Sequence, residues 1–520
     1  MGLQVNSIAA AVGASVKNVS FKPAATNLPR KILVVGTYDP LKTAIIPDVP
    51  AICLNSSDAG YKYGFGSMLH RLAVQAFTGS NGVETWIVPQ EEAAGAVNAD
   101  GSLLFVCTSA TAGTLYLYIA GLICKVNIAT GDDAADIATA VVAAITADKN
   151  FPVSAAVNGV VDAQVDITAK SAGPWGNSIS LAFNLGSGEL LPTGVTCTVT
   201  PMASGAGIPD IADALDALGT GDGANENWFT DVVHGYGQDD TTLDAILTYV
   251  GAGNDYLGLY EKLVARPFRV LTGDVVAGSG GYSALIALGD GRKTDRANGV
   301  VAVPGAHSHP SEIAAQTIGH MARINNDVVA QHYNGIQLIG IDPGEKADRW
   351  TDDYDSRDTA VKAGISTTRV INGVVTLQNV VSFYHPDDVP VESNGYRSMR
   401  NISILQNILY NVRVNFEREK WQGISIVADT AAVTNPTDRK KARDIDSVLD
   451  DLVALAKAFE SKAWIYTADF TINKLKESGA VAIRSGALGF DSTLSVILSG
   501  EGGILDAMVE FDTSLAVLTA

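Results

Sequence analysis

The sequence predicts an α/β multidomain protein: a layered α/β body interrupted by an inserted β-rich unit, an α+β C-terminal part, and extended arms at both ends. Three observations lead there. Short apolar runs alternate with helix-period segments over residues 31–95 and again over 201–395, as a sheet covered on both faces requires. Residues 96–200 change to period-two alternation around one helix, the mark of half-buried strands. Residues 1–30 carry so little apolar surface that they must order against something else. A chain of 520 residues, 47% apolar and with 51 glycines, has room for about two to four cored domains linked by many turns.

The elements follow in order. In the arm, Val19 and Phe21 share one face of a weak strand. Lys31–Val35 is a buried-strand run, Asp58–Phe77 a loop and helix, and Glu84–Val88 a second strand. Within the inserted unit, Tyr116–Ala120 and Leu122–Ala129 form a hairpin about Gly121. A helix follows with Ile137, Val141 and Ile145 on one stripe, then strands at Val161–Ala169 and around Val195, Cys197 and Val199. Residues 201–395 read as helix Ile211–Leu218, strand Trp228–Val233, helix Thr241–Tyr249, strand Phe268–Leu271, helix Tyr282–Leu288 and strand Val300–Val303. A helix then runs from Pro310 to about Tyr333. Residues 396–490 give an amphipathic helix with Leu405, Leu409, Val412 and Phe416 on its apolar stripe, a strand at Ile424–Val427, and a helix through Ile445, Leu449, Leu452, Ala456 and Phe459. Thr471–Ile483 reads as strand-rich. Residues 491–520 end in a hairpin: Leu494–Leu498, a turn at Gly500–Gly503, then Ala507, Val509 and Phe511 on one face.

Charge narrows the function classes. Lys and Arg number 36 against 56 Asp and Glu, a net charge of −20. That sign repels phosphate backbones and anionic headgroups, so neither nucleic acid nor membrane insertion is expected. Leu115–Ile128 is too short to span a bilayer. No basic-then-apolar leader opens the sequence, so the sequons at Asn55 and Asn401 carry no meaning. Cys53, Cys107, Cys124 and Cys197 form no CxxC and read as reduced thiols.

Four places could carry chemistry, and each has a plainer reading. His307 and His309 follow a strand, with His320, His332 and His385 downstream. Two histidines two apart can share a divalent ion, as in a metal-dependent hydrolase, but no carboxylate series accompanies them, and Pro304, Gly305 and Pro310 suit a loop steering a strand into a helix. Gly64-Phe65-Gly66-Ser67 could hold an anion at a helix start, yet lacks the lysine of a phosphate loop. Asp352, Asp353, Asp355 and Asp358 lack the spacing of a calcium loop, with Arg349 and Arg357 placed to neutralise them. His234-Gly235-Tyr236-Gly237 has the look of a protease histidine motif without a nucleophile segment. No catalytic, cofactor or metal residue is expected, and no cofactor. An assembly subunit fits better than an enzyme.

Several segments resemble the tail sheath protein of Mu-like contractile bacteriophages: Arg266-Pro-Phe-Arg269, Asp295–Pro304, Leu377–Val381, Tyr396–Ile402, Trp421–Ile424, and the stretch from Gly489 to Asp512. The likeness covers most of the chain, most strongly from about residue 225. It implies a subtilisin-like, non-catalytic α/β sheath domain and subunits in stacked hexameric rings around a tail tube. The partners implied are further copies of the chain, the tube protein, and baseplate and tail terminator proteins. The subunit is then a virion component assembled in the host cytoplasm, and its sheath contracts to drive the tube through the envelope. The terminal arms add strands to neighbouring subunits, which points to Val19, Phe21, Leu494, Val496, Val509 and Phe511. The helix at 445–459, or its neighbour at 405–416, is expected to face the tube, with Arg439, Lys440 and Lys441 beside the first. The competing readings are the His307/His309 hydrolase and another self-assembling capsid or surface-layer protein.

Overall fold

The computed structural model describes residues 25–251, 265–349, 354–387, 395–485 and 488–501. These form a larger unit (27–409 and 500–501) and a smaller one (25–26 and 410–499).

The larger unit is built on a nine-stranded sheet ordered Gln337–Leu338, Val374–Asn379, Ile365–Ile371, Asn298–Ala302, Arg269–Asp274, Asp231–His234, Lys31–Thr37, Glu84–Gln90 and Ala51–Cys53. From Ile365–Ile371 to Glu84–Gln90 the pairing is parallel throughout. Parallel strands are buried on both faces and so read as unbroken apolar runs. Val34, opposite Val233 on one side and Ile87 on the other, is fully buried. Val300 and Ala302 join a core with Leu243, Leu285 and Phe383, while Val301 joins the larger core containing Ile313 and Ile318. The sheet is therefore covered on both faces.

Helices Met68–Ser80 and Pro310–Asp327 pack together against this sheet. Their backbones meet at two glycines. A Cβ on Gly79 would lie 2.3 Å from the Gln316 carbonyl oxygen, and one on Gly319 would lie 2.4 Å from that of Ala76. Beside this crossing, Arg71 donates from Nε to Glu312 Oε1 at 2.8 Å and from Nη2 to Oε2 at 2.7 Å, with both side chains out of solvent. A paired, forked geometry is what makes burial of two charges tolerable. The second helix ends at Asp327, short of Tyr333. Asn325 donates its amide to the Val329 carbonyl at 3.0 Å, and the chain turns away there.

The inserted residues carry two sheets. One is ordered Thr196–Ala203, Asn98–Val106, Gln164–Ala172, Val153–Val157; the other Leu122–Ile128, Gly113–Ile119, Leu181–Phe183. Helix Ala134–Ala147 buries Ile137, Val141 and Ile145, and begins on a reciprocal cap between Asp133 and Asp136.

In the smaller unit, helix Ile445–Ser461 starts on an Asp444–Ser447 cap and buries Val448, Leu452, Leu455 and Phe459. Asp451 accepts from Asn415 Nδ2 (3.0 Å), Lys420 Nζ (2.6 Å) and Trp421 Nε1 (2.8 Å). Two short sheets pair Ser425–Ile426 with Ala442–Arg443, and Val481–Ile483 with Phe490–Ser492. The supposed strand-rich stretch from Thr471 begins instead inside helix Ala468–Leu475, which Thr467 caps by accepting from the Asp469 amide. Leu494–Leu498 is not a ladder strand. It is an extended segment making a single bridge from Leu498 to Ile465.

Candidate assembly surfaces

In an open parallel sheet, ligands bind beyond the strand ends where the strand order reverses. Here that point lies between Lys31–Thr37 and Asp231–His234, because Glu84–Gln90 lies on one side of the first strand and every later parallel strand on the other. The crevice is filled. Met68 Sδ would be 2.9 Å from a Cβ on Gly36 and 2.2 Å from one on Gly235. The Thr37 amide donates to the same sulfur at 3.4 Å. The inserted unit closes the top with Ala172, Pro174 and Trp175, leaving a space of about 10 Å³, room for at most one water. His234 is fully buried beneath, and burial pushes its imidazole down to about 4, so it stays neutral.

His307 and His309 serve two separate contacts. His309 Nε2 donates to the Trp175 carbonyl at 2.9 Å, and Nδ1 accepts from Ser311 Oγ at 2.8 Å. Trp175 Nε1 in turn donates to Ser311 Oγ at 3.1 Å. Burial lowers the His309 pKa, which suits the neutral tautomer this network needs. His307 Nδ1 instead meets Asp342 Oδ2 at 2.8 Å, and its own amide donates to the same oxygen. The Asp342 hydrogen bond holds the His307 pKa above its ordinary value. Among the described residues, no three His, Cys, Asp or Glu side chains are grouped to hold a metal ion.

The remaining candidates are packed into the framework. A Cβ on Gly66 would meet the Phe151 carbonyl oxygen at 2.2 Å, so the Gly64–Ser67 turn lies against the inserted unit. Ser67 caps its helix by accepting from the His70 amide. Asp352 and Asp353 lie outside the described residues. Asp358 pairs with Lys362 at 2.6 Å, and Arg349 donates to the carbonyls of Pro343 and Gly344.

The roots of both arms are firmly held. Helix Met399–Phe416 carries buried polar residues four apart, Ser403, Asn407, Asn411 and Asn415, and the first three meet the segment leading to Arg30. In the larger unit, the Leu28 amide donates to Asn407 Oδ1 at 2.7 Å, and Arg30 donates to Gln406 and Ser403. In the smaller unit, Asn411 accepts from the Thr26 amide at 2.9 Å and donates to its carbonyl at 2.8 Å, as a neighbouring strand would. The expected apolar stripe, Leu405, Leu409, Val412 and Phe416, is only half-buried. The asparagine repeat was the signal to follow. At the other end, Glu501 accepts from Ser398 and pairs with His332 at 3.3 Å. Burial works to raise the Glu501 carboxyl, but those two partners outweigh it and hold its pKa below the usual range.

Val19, Phe21, Val509 and Phe511 lie outside the described residues. Leu494 and Val496 are half-buried beside Thr471, whose hydroxyl donates to the Ser495 carbonyl. Arg439 and Lys440 are exposed at the end of the short helix Pro436–Arg439. Lys441 is exposed too, but its amine is engaged by the carbonyls of Glu419 and Gln422. Residues 410–499 hold twelve Lys and Arg against twelve Asp and Glu, so the whole net charge of −20 lies elsewhere in the chain.

The segments with an unusual sequence prove to be the struts of this framework. Arg269 is fully buried, binding Asp231 (2.6 Å), Tyr333 (2.6 Å), Asn325 (2.8 Å) and the Met399 carbonyl (2.7 Å). Asp295 caps the turn into its strand by accepting from the amides of Ala297 and Asn298. No family model matches the chain. Over 406 residues it is 26% identical to the Mu-like prophage FluMu tail sheath protein of Haemophilus influenzae, covering 77% of this chain and 76% of that one. The chain is similar to a Mu-like tail sheath protein. Among solved structures, the sheath tail protein of Desulfitobacterium hafniense is 12% identical, covering 87% of this chain and 90% of that one with a TM-score of 0.42. The sheath tail protein Lin1278 of Listeria innocua is 10% identical over 92% and 94%, with a TM-score of 0.43.

Proposed function

We propose that this chain is the structural subunit of a contractile tail sheath. Copies form stacked hexameric rings around a tail tube, and the sheath contracts to drive that tube through a host envelope. The observation that carries this reading is the sequence relationship to a tail sheath protein across about three quarters of both chains. In this reading the larger unit is the subtilisin-like, non-catalytic sheath domain, residues 96–200 protrude from it, and the smaller unit is the inner α+β domain. The subunit does its work by changing how it packs, and no turnover is required. Contraction needs a compact packing of lower free energy and a barrier released from the baseplate. Further partners are the tube protein and the baseplate and tail terminator proteins, within a virion assembled in the host cytoplasm.

Inter-subunit contacts are assigned to the arms, through Val19, Phe21, Leu494, Val496, Val509 and Phe511. Strand donation satisfies backbone groups that an edge otherwise leaves open. Tube contacts are assigned to the basic turn of Arg439, Lys440 and Lys441. Its support is that it stands exposed in the part of the chain with balanced charge.

Electron microscopy of the overexpressed chain tests the reading, with long tubular polymers expected. A monomer at all concentrations, turning over a small substrate, would overturn it. Deleting residues 1–25 is expected to leave soluble particles without long tubes. Reversing charge at Arg439 and Lys440 is expected to weaken tube binding, and binding unchanged at low salt would remove that assignment.

A further inference from the structure

The end of the nine-stranded sheet at Ala51–Cys53 carries an unusual surface. Leu41, Ile46, Val49, Ile52, Leu54 and Tyr61 are exposed together, Leu41 at 86% and Ile46 at 70%. Four of them, Leu41, Ile46, Val49 and Tyr61, line an open groove of about 610 Å³ together with Ile45 and Pro89. Among the described residues, Ala51–Cys53 pairs only with Glu84–Gln90, so its other edge is open. The charged groups here already have partners. Lys62 pairs with Asp58 at 2.9 Å, Lys42 donates to the Tyr61 carbonyl at 3.0 Å, and Asp48 accepts from Gln90 at 3.0 Å.

We infer that this edge is a contact face between neighbouring copies of the chain, an inference that rests on the sheath reading and says where copies touch. Area and charge both name a second copy as the occupant. At roughly 150–200 Å² for a large apolar residue, the four that line the groove already expose several hundred Å², as much as the largest patch monomers usually leave open. That approaches the ~800 Å² one partner gives to a stable contact. Copies carrying −20 each repel one another. They meet at least cost where net charge is low, and residues 38–63 hold two lysines against three aspartates.

The test pairs assembly with protection. Leu41→Glu with Ile46→Glu changes two exposed side chains, so thermal unfolding of the subunit is expected to stay put. The concentration needed to form tubes is expected to rise at least tenfold. In parallel, maleimide labelling of Leu41→Cys is compared in free subunits and in tubes, against the unmodified chain as background. Its four cysteines are buried or half-buried. Fast labelling of the free subunit and at least tenfold slower labelling in tubes supports the contact. Tubes from the double variant at the wild-type concentration, or equal labelling in both states, overturns it and leaves the sheath reading intact. Slow labelling in the free monomer also overturns it, because the chain's own arm then covers the groove. Absence of any wild-type polymer defeats the sheath reading, and this contact with it.

Discussion

Replacing Asn407 with alanine removes the only side-chain acceptor described for the Leu28 amide, a 2.7 Å bond between two buried residues. It also removes the donor to the Ser403 carbonyl at 2.9 Å. Leaving a buried amide unpaired costs about 1–3 kcal/mol, and the second bond adds about 1 kcal/mol. Alanine returns about 0.6 kcal/mol through its better helix propensity. The net expectation is a loss of about 2 kcal/mol. Asn411→Ala also removes two bonds, but Thr26 is exposed and water can replace them. The same propensity gain then leaves a loss below about 1 kcal/mol. Native-state hydrogen exchange read at the Leu28 amide, beside urea unfolding, measures both. A loss of about 2 kcal/mol corresponds to roughly thirtyfold faster exchange. Equal costs for the two variants, or a Leu28 amide unchanged in Asn407→Ala, would refute this account of how the N-terminal arm is rooted.

Glu312→Gln strands the Arg71 guanidinium in a buried site, so a loss of about 3–5 kcal/mol is expected in chemical denaturation, largely recovered in Arg71→Met with Glu312→Leu. Met68→Ala empties the strand-end crevice and should cost about 2–5 kcal/mol, seen as a lower Tm. Gly235→Ala should destabilise from the opposite cause, since the new methyl lies 2.2 Å from the Met68 sulfur. The His307–Asp342 contact has a signed pH dependence. With the histidine pKa raised, its contribution is full below the ordinary histidine value of about 6.5 and fades as pH rises through the raised one. The Asp342 pKa is lowered: burial opposes this, but the His307 ring, its amide and the Gly344 amide together outweigh it, so its contribution fades only in acid. Protection of residues 303–310 should therefore peak between about pH 4 and 6.5 and decline above it, and Asp342→Asn should flatten that profile.

Much of the layered body was legible because burial on both faces leaves an unbroken apolar run. Lys31–Val35 became Lys31–Thr37, and Val300–Val303 became Asn298–Ala302. The inserted strands were legible for the complementary reason, since one face is wet and the period is two. Reading failed where polar groups decide. Phe470, Thr471 and Ile472 look like a strand until the Thr467 cap is weighed. The buried stripe of Ser403, Asn407, Asn411 and Asn415 is invisible to any scheme that equates polar with exposed. No glycine or proline marks the stop at Asp327; one asparagine side chain does. At three of the four candidate places the residues are engaged in the framework. Glycines and histidines that could have served chemistry are spent on close packing, on the neutral hydrogen bonds of His309 and on the His307–Asp342 pair.

The inserted unit supplies parts that the body lacks. Ser171 accepts the Met68 amide at 2.9 Å at the head of one central helix, and Trp175 secures His309 and Ser311 at the head of the other. Exchanging these inserted residues for those of a relative therefore cannot be a cut at their borders. A graft that omits a hydroxyl at 171 or an indole at 175 removes partners from both central helices. An engineer wishing to display a foreign module would do better to splice at its far turns, such as Asn158–Asp162, and keep the foot intact.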